Sequence, residues 1–362
     1  MSNKTSATHR PARKSGSAPS NMDRRNFLRL AGATGALLAL SSLSGPLLVP
    51  GLAQAGPNTG GEHTEQQTRL LMGTFVTLTA VSADKAKAEA AFAAAFAVME
   101  RLIAVFDRRN PNSALSLLNA QGSLSDLPAE LAQVLRASEK TALLTANAFN
   151  PGITPAVDYL AAASARGALL SWEDKGFKEA LALSAPGAFR VDGGRVRLER
   201  AGAKLTLDGI AKGFIADAAS ASLHDSGLSR HMVNAGGDIR VSGQAEGMRP
   251  WNVGIRHPDH SLPNNALITT VNVGSGGIAT SGTYEQAYNT TGSRNHLLSH
   301  QTGKSAEVGS VTVRAQNAMT ADALATALSL VPPGMALRLA QENNAACLVA
   351  DRNGRIYRSA NW

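Results

Sequence analysis

The stretch that most narrows what this chain can become runs from Leu205 to Asp217, Leu-Thr-Leu-Asp-Gly-Ile-Ala-Lys-Gly-Phe-Ile-Ala-Asp. A short β-type run, Lys204 to Leu207, meets a turn bracketed by Gly209 and Gly213, and an apolar helix pattern continues through Ala218 and Ala219. Strand, glycine turn and helix N-terminus in that order predict a place where backbone N–H groups meet a ligand oxyanion. The glycine spacing is that of neither a dinucleotide fingerprint nor a P-loop. Taken alone, the stretch also reads as a turn packed tightly against a sheet.

The surrounding patterns place this turn in a mixed fold. Leu70 to Thr79 alternates as a strand, with Met72-Gly73-Thr74 at its entry. Lys85 to Phe106 carries Ala88, Phe92, Phe96, Met99, Ile103 and Phe106 at helical steps of three and four. Further helices are predicted over Pro128 to Ala146, around Val157–Ala163 and Lys175–Leu183, from Met319 to Leu330 and after Pro333. Residues 189–199 read as a hairpin turning at Gly193-Gly194, and His231 to Ser242 as a strand kinked at Asn234-Ala-Gly-Gly-Asp238. Strands are also expected at Trp251–Ile255, Leu267–Val273, Ser310–Arg314, Ala345–Ala350 and Arg355–Arg358. No regular βαβ rhythm links them, so the expected class is α+β, a single large domain over residues 68–362 behind a polar linker at 56–67.

The net charge of +8 first suggests a nucleic acid or a membrane surface as partner. Residues 1–55 hold seven Lys and Arg against one Asp, however, which leaves only +2 on the rest. With 4% aromatic residues there is also little to stack on bases, so a nucleic-acid role is not expected. Arg24-Arg25 precedes a weakly hydrophobic run from Leu30, and Ala53-Gln54-Ala55 offers small residues for cleavage. This resembles a twin-arginine export signal and predicts a periplasmic product, not integral to the membrane, beginning near Gly56. The single cysteine, Cys347, rules out an intrachain disulfide and reads as a core residue.

Three segments could carry chemistry. Asp322 and Thr326 stand four apart, so carboxylate and hydroxyl share one helix face. That hard-oxygen pair suits Mg²⁺, which takes its remaining ligands from water and phosphates. The same residues also fit a plain helix start, with Thr320 as cap and Asp322 complementing the dipole. His296, before an apolar pair, is a candidate general base or a hydrogen-bonded surface residue. Asn234-Ala-Gly-Gly-Asp238 either lets backbone approach a ligand closely or forms a bulge. Ser281 lacks the Gly-x-Ser-x-Gly context of a hydrolase nucleophile.

These segments occur in the order and register of one family. Met72-Gly73-Thr74, Ser113 through Asn119, Ala148-Phe149-Asn150-Pro151, Asp208 through Gly213, Val233 through Asp238 and Trp251 through Ile255 come first. Ala279-Thr280-Ser281-Gly282 with Tyr284, His296-Leu297-Leu298 with Thr302-Gly303, and Ser310 through Val313 with Ala321 through Thr326 complete the set. Over roughly Leu70 to Arg358 the chain resembles the FAD:protein FMN transferase (ApbE) family. The resemblance implies an exported, Mg²⁺-dependent α+β enzyme that splits FAD at the pyrophosphate. It would join FMN by a phosphoester to a Thr or Ser of a target flavoprotein and release AMP. By position, Asp322, Thr326 and the Gly209 carbonyl would hold the metal. Met72, Phe106, Ala148, Phe149, Asn150, Thr206, Lys212 and Leu298 would line FAD, and His296 would be the base.

The chain departs from the family pattern at Thr206-Leu207-Asp208-Gly209, where Asp-Leu-Gly-Gly is usual, at Ser299-His300 in place of Asp-Pro, and at Asn150. If the strand reached it, Asp208 would face the same side as Thr206 and partly replace the missing acid. These departures and the leader resemble the branch that accompanies nitrous-oxide reductase maturation, with a membrane-bound, periplasm-facing flavoprotein as target. Two other uses of such a site remain: an FAD pyrophosphatase with water as acceptor, and a periplasmic flavin carrier without chemistry.

Overall fold

The computed structural model describes residues 61–168, 171–259, 261–263 and 266–362. The leader, 1–55, and the start of the linker lie outside the described residues.

The β-strands, in chain order, are β1 (His63–Leu71), β2 (Thr74–Ser82), β3 (Ser123–Leu124), β4 (Phe189–Asp192), β5 (Arg195–Leu198), β6 (His231–Ala235), β7 (Asp238–Ser242), β8 (Trp251–Arg256), β9 (Leu267–Val273), β10 (Gly276–Gly282), β11 (Val308–Ala315), β12 (Ala346–Asp351) and β13 (Ile356–Arg358). The helices are α1 (Lys85–Phe106), α2 (Ala114–Gln121), α3 (Ala129–Leu144), α4 (Thr154–Ala165), α5 (Lys175–Leu183), α6 (Ala211–Asp225), α7 (Ala318–Leu328) and α8 (Pro333–Glu342). An eight-stranded sheet runs β1-β2-β6-β7-β10-β11-β12-β13, with a three-stranded sheet β3-β5-β4 and the hairpin β8-β9 beside it. Every pair is antiparallel. The fold is α+β, as expected.

The pleat of the large sheet sorts its side chains into two cores. On one face Val76, Leu78, Val233 and Ala235 pack with α1 and α6. On the other, Val81, Met232, Ile239, Val241 and Ile278 meet Trp251, Val253 and Val271 of β8-β9. Helix α7 lies at the seam between the first core and a third around β11, β12 and α8. Its Ala323 and Ala327 face one, and its Ala321, Leu324 and Leu328 the other. A helix apolar all round is a buried helix, and Asp322 inside it, 3% exposed, is therefore conspicuous.

α1 and α5 have the expected bounds, and Gly193-Gly194 turns the β4-β5 hairpin as predicted. Four readings need correction. Residues His63–Gln67, expected in the linker, pair with β2 as the first half of β1. Leu70 to Thr79 is not one strand but the two arms of the β1-β2 hairpin, reversing at Met72 and Gly73, whose φ values are 53° and 71°. The Asn-Ala-Gly-Gly-Asp kink is likewise a full reversal, since Ala235 pairs with Asp238 around a two-residue Gly-Gly loop. Lys204 to Leu207 belongs to no strand. Its polar groups go elsewhere: Leu205 N–H and C=O bond the Asn119 side chain at 2.7 and 2.8 Å, and Thr206 N–H donates to Pro151 O at 2.8 Å.

Candidate active site

Two helix N-termini meet at the glycine turn, and each is capped by an acid from the other. Asp322 of α7 accepts the Gly213 N–H of α6 at 3.0 Å. Asp217 of α6 accepts the Ala318 and Met319 N–H groups of α7, both at 2.9 Å. The Gly213 N–H in the first turn of α6 is therefore bonded to a carboxylate of the chain itself and is not free for a ligand oxyanion. Thr320 is not the cap of α7 either. Asn317 is, accepting the Thr320 N–H at 2.8 Å. Freed from that task, Asp322 faces the turn.

Thr326 lies one helical turn beyond Asp322 and meets Gly209. A Cβ on Gly209 would stand 2.6 Å from Thr326 Oγ1, so only a glycine brings its backbone this close. Ser281 Oγ is 3.3 Å from the same hydroxyl, a neighbour of Thr326 and not a nucleophile beside a histidine. Lys212 adds an ammonium 2.7 Å from Asp238 Oδ2, with the Asp238 side chain 3% exposed. Burial, then the charge of Asp238, pushes the Asp322 carboxyl well above its ordinary range. Burial opposes the Lys212 charge, but Asp238, Glu285 and Asp322 together hold that ammonium above its ordinary value. One cation thus answers several carboxylates in a poorly solvated place, an electrostatic deficit that a further cation would fill.

Among the described residues no three His, Cys, Asp or Glu side chains could hold a metal ion together. The donors present are instead one carboxylate, one hydroxyl and the Gly209 carbonyl. With a cradle at Gly209 that a Cβ would fill, they fit a small hard cation that keeps waters or phosphate oxygens as its other ligands.

His296 sits on the irregular segment between β10 and β11, and its backbone N–H donates to Gln286 O at 3.1 Å. Its Nδ1 is 3.3 Å from the same carbonyl. A carbonyl can only accept, so Nδ1 carries the proton and Nε2 is left as the basic nitrogen. Burial lowers the imidazole's pKa, keeping it neutral, with the Gln286 carbonyl opposing. The Lys212 charge lowers it as well, and Asp208 opposes. Leu298 is buried in a small cluster with Ile153, Val157 and Phe177.

The other expected flavin-lining residues are held in different ways. Phe106 packs edge-to-face on Phe214 of α6, with ring centroids 5.6 Å apart. Ala148 and Phe149 are buried in the main core. Asn150 is committed to the chain, accepting Gly152 N–H at 2.9 Å and donating to Ser184 O at 2.7 Å. Met72 is half-buried at the β1-β2 tip. Thr206 Oγ1 accepts the Asp208 N–H at 3.1 Å. The strand that would have set Asp208 on the same side as Thr206 is absent, and the Asp208 carboxylate is bound by Arg108 Nε at 2.9 Å. Arg108, which also reaches Asp158 at 3.1 Å, and Asp217 were not singled out from the sequence. Neither lies in a spacing pattern, since their partners are about 50 to 100 residues away.

A buried carboxylate, a half-buried hydroxyl and a half-buried lysine thus converge on one glycine turn of an α+β fold. The ApbE family profile matches residues 72–349. A Klebsiella pneumoniae protein named FAD:protein FMN transferase is 27% identical over 80% of this chain and 84% of its own length. One of the same name from Treponema pallidum is 32% identical, covering 67% and 71%. The solved ApbE protein of Thermotoga maritima superposes with a TM-score of 0.75 at 26% identity, covering 83% of this chain and 98% of its own. The chain belongs to the ApbE family.

Proposed function

We propose that this chain transfers FMN from FAD to a Thr or Ser hydroxyl of a target flavoprotein, forming a phosphoester and releasing AMP. It is a flavin transferase, as its family relatives are named. The observation that carries the reading is the buried Asp322 with Thr326 one turn on, both against the turn from Gly209 to Gly213. Phosphoryl transfer asks a protein mainly for positioning and charge neutralisation, and this cluster offers both.

Asp322, Thr326 and the Gly209 carbonyl would hold Mg²⁺. Bound there, the ion would neutralise charge on the pyrophosphate and polarise the phosphorus that is attacked. Lys212 brings a permanent positive charge to the same phosphates. Met72, Phe106, Ala148, Phe149, Asn150, Thr206 and Leu298 would shape the flavin and nucleoside sites, the buried ones through backbone and ring edges. His296 Nε2 takes the proton from the acceptor hydroxyl as its oxygen bonds to the FMN phosphorus. The bond from that phosphorus to the bridging oxygen breaks, and AMP departs. We further infer export to the periplasm by the twin-arginine-type leader, and a target facing that compartment. Among the described residues no helix is long and apolar enough to cross a membrane.

The test is co-incubation with FAD, Mg²⁺ and an apo-flavoprotein carrying an exposed acceptor Thr, read by intact mass. A gain equal to FMN on the acceptor with AMP in solution is expected. Free FMN with AMP would make the chain a pyrophosphatase, and intact FAD would make it a carrier.

A further inference from the structure

The Asn234–Asp238 motif is the one conspicuous sequence feature that the reaction does not absorb. Gly236 and Gly237, at φ 70° and 109°, form the reversal of the β6-β7 hairpin. A Cβ on Gly236 would stand 2.4 Å from Thr74 Oγ1, so the turn is braced against the tip of the β1-β2 hairpin. Asn234 Oδ1 locks it from within, accepting the Gly237 N–H at 2.9 Å. The two conspicuous motifs, Met72-Gly73-Thr74 and Asn234 to Asp238, thus build one rigid corner in the middle of the large sheet. What that corner delivers is the Asp238 carboxylate, nearly inaccessible to water and 2.7 Å from Lys212 Nζ.

We propose that Asp238 is a positioning residue, one that anchors the Lys212 ammonium at the phosphate-facing edge of the glycine turn and holds it off Asp322. The role rests on the transferase reading above. Lysine presents a point charge on a flexible four-carbon stem, and nothing in its own shape fixes where that charge sits. Three carboxylates pull on it here, Asp238 first, then Glu285, then Asp322. Without Asp238 the ammonium would be drawn towards Glu285 or Asp322, leaving the phosphate-facing edge or covering the carboxylate that the cation needs. With Asp238 fixed by a braced hairpin, Lys212 is held on the sheet side and Asp322 keeps an oxygen for the metal. Asp238 itself cannot be the phosphate contact, because a carboxylate repels a phosphate unless a cation stands between them.

The test compares Asp238→Asn, which keeps the shape and removes the charge, with Lys212→Met and the double variant. Melting temperature reports folding, steady-state kinetics give KM for FAD and kcat, and Mn²⁺ electron paramagnetic resonance without FAD reads the metal site directly. Asp238→Asn is expected to raise KM for FAD roughly tenfold, to weaken Mn²⁺ binding, and to change kcat less than KM. In the Lys212→Met background the same substitution is expected to add little, because the two residues act as one unit. Unchanged KM and Mn²⁺ affinity in a folded Asp238→Asn protein would overturn the proposal, as would effects that add fully to those of Lys212→Met. Should Asp238→Asn not fold, limited acetylation of the wild-type chain decides. Lys212 protected relative to Lys175, whose side chain is 93% exposed, supports the anchor, and equal labelling refutes it. Failure of wild-type protein to transfer FMN would sink the transferase reading while leaving the metal and acetylation results to judge the pair.

Discussion

The α6-α7 junction and the segment joining β10 to β11 are the two halves of the candidate site, and they are built on opposite principles. At the junction, regular helices cap each other through Asp217 and Asp322, and Gly213 packs so tightly that a Cβ would lie 2.3 Å from Ala318 O. Across residues 283–306 only isolated bridges occur, and shape comes from scattered backbone–backbone bonds together with side chains bonding backbone. Asn295 alone donates to Gly292 O and Ala306 O, both at 3.1 Å, and accepts the Leu297 N–H at the same distance. The difference teaches a division of labour. Opposing charges a few ångströms apart need a rigid frame, because small displacements change their energy steeply. His296, which on the proposed reaction would take a proton from an acceptor's hydroxyl, sits on a looped segment that an acceptor can approach.

The contrast can be broken most sharply at His296. His296→Ala is expected to lower transfer by about 10² to 10⁴-fold while FAD binding and melting temperature stay near wild type. A comparable loss of FAD binding would erase the division. Next comes a pair of glycines. Gly213→Ala forces the helices apart and should cost about 3 kcal/mol in urea unfolding, whereas Gly292→Ala, at φ 67° with open space around it, should cost about 1 kcal/mol. Equal costs would mean that the junction is no more tightly packed than the loop.

A third test uses pH. His231, wholly buried behind α6, donates from Nδ1 to Leu228 O and accepts from Ser220 Oγ, each at 2.6 Å. Burial pushes its pKa down from 6.5 to about 4. The unfolded chain therefore binds a proton that the folded chain refuses, so stability falls as pH drops from about 6.5 to about 4. His231→Gln should flatten that part of the stability–pH curve, and an unchanged slope would contradict the buried neutral ring. The smallest effect is expected from Asp217→Asn, which weakens one helix cap by about 1 kcal/mol and lowers Mn²⁺ affinity with it. Undisturbed metal binding there would detach the cap from the site.

Legibility in the sequence followed the range of the interactions. The Asp322–Thr326 spacing and the bounds of α1 and α5 were readable because helical periodicity is local. The residues 204–207 misled because an extended segment looks like a strand, and its true partners, Asn119 and Pro151, come from elsewhere in the chain. Gly236-Gly237 looked like a kink because a Gly-Gly pair permits both a bulge and a reversal, and only the register with β7 decides. The linker reading failed at His63–Gln67 for a related reason, since a polar edge strand has no core-facing run to betray it. Arg108 and Asp217 were invisible, being defined wholly by distant partners.

The most direct measurement is Mn²⁺ titration followed by electron paramagnetic resonance on wild-type protein and Asp322→Asn. Saturable binding by the wild-type chain, abolished in the variant with its melting temperature preserved, is the result this account predicts. Equal Mn²⁺ binding by both proteins would contradict it.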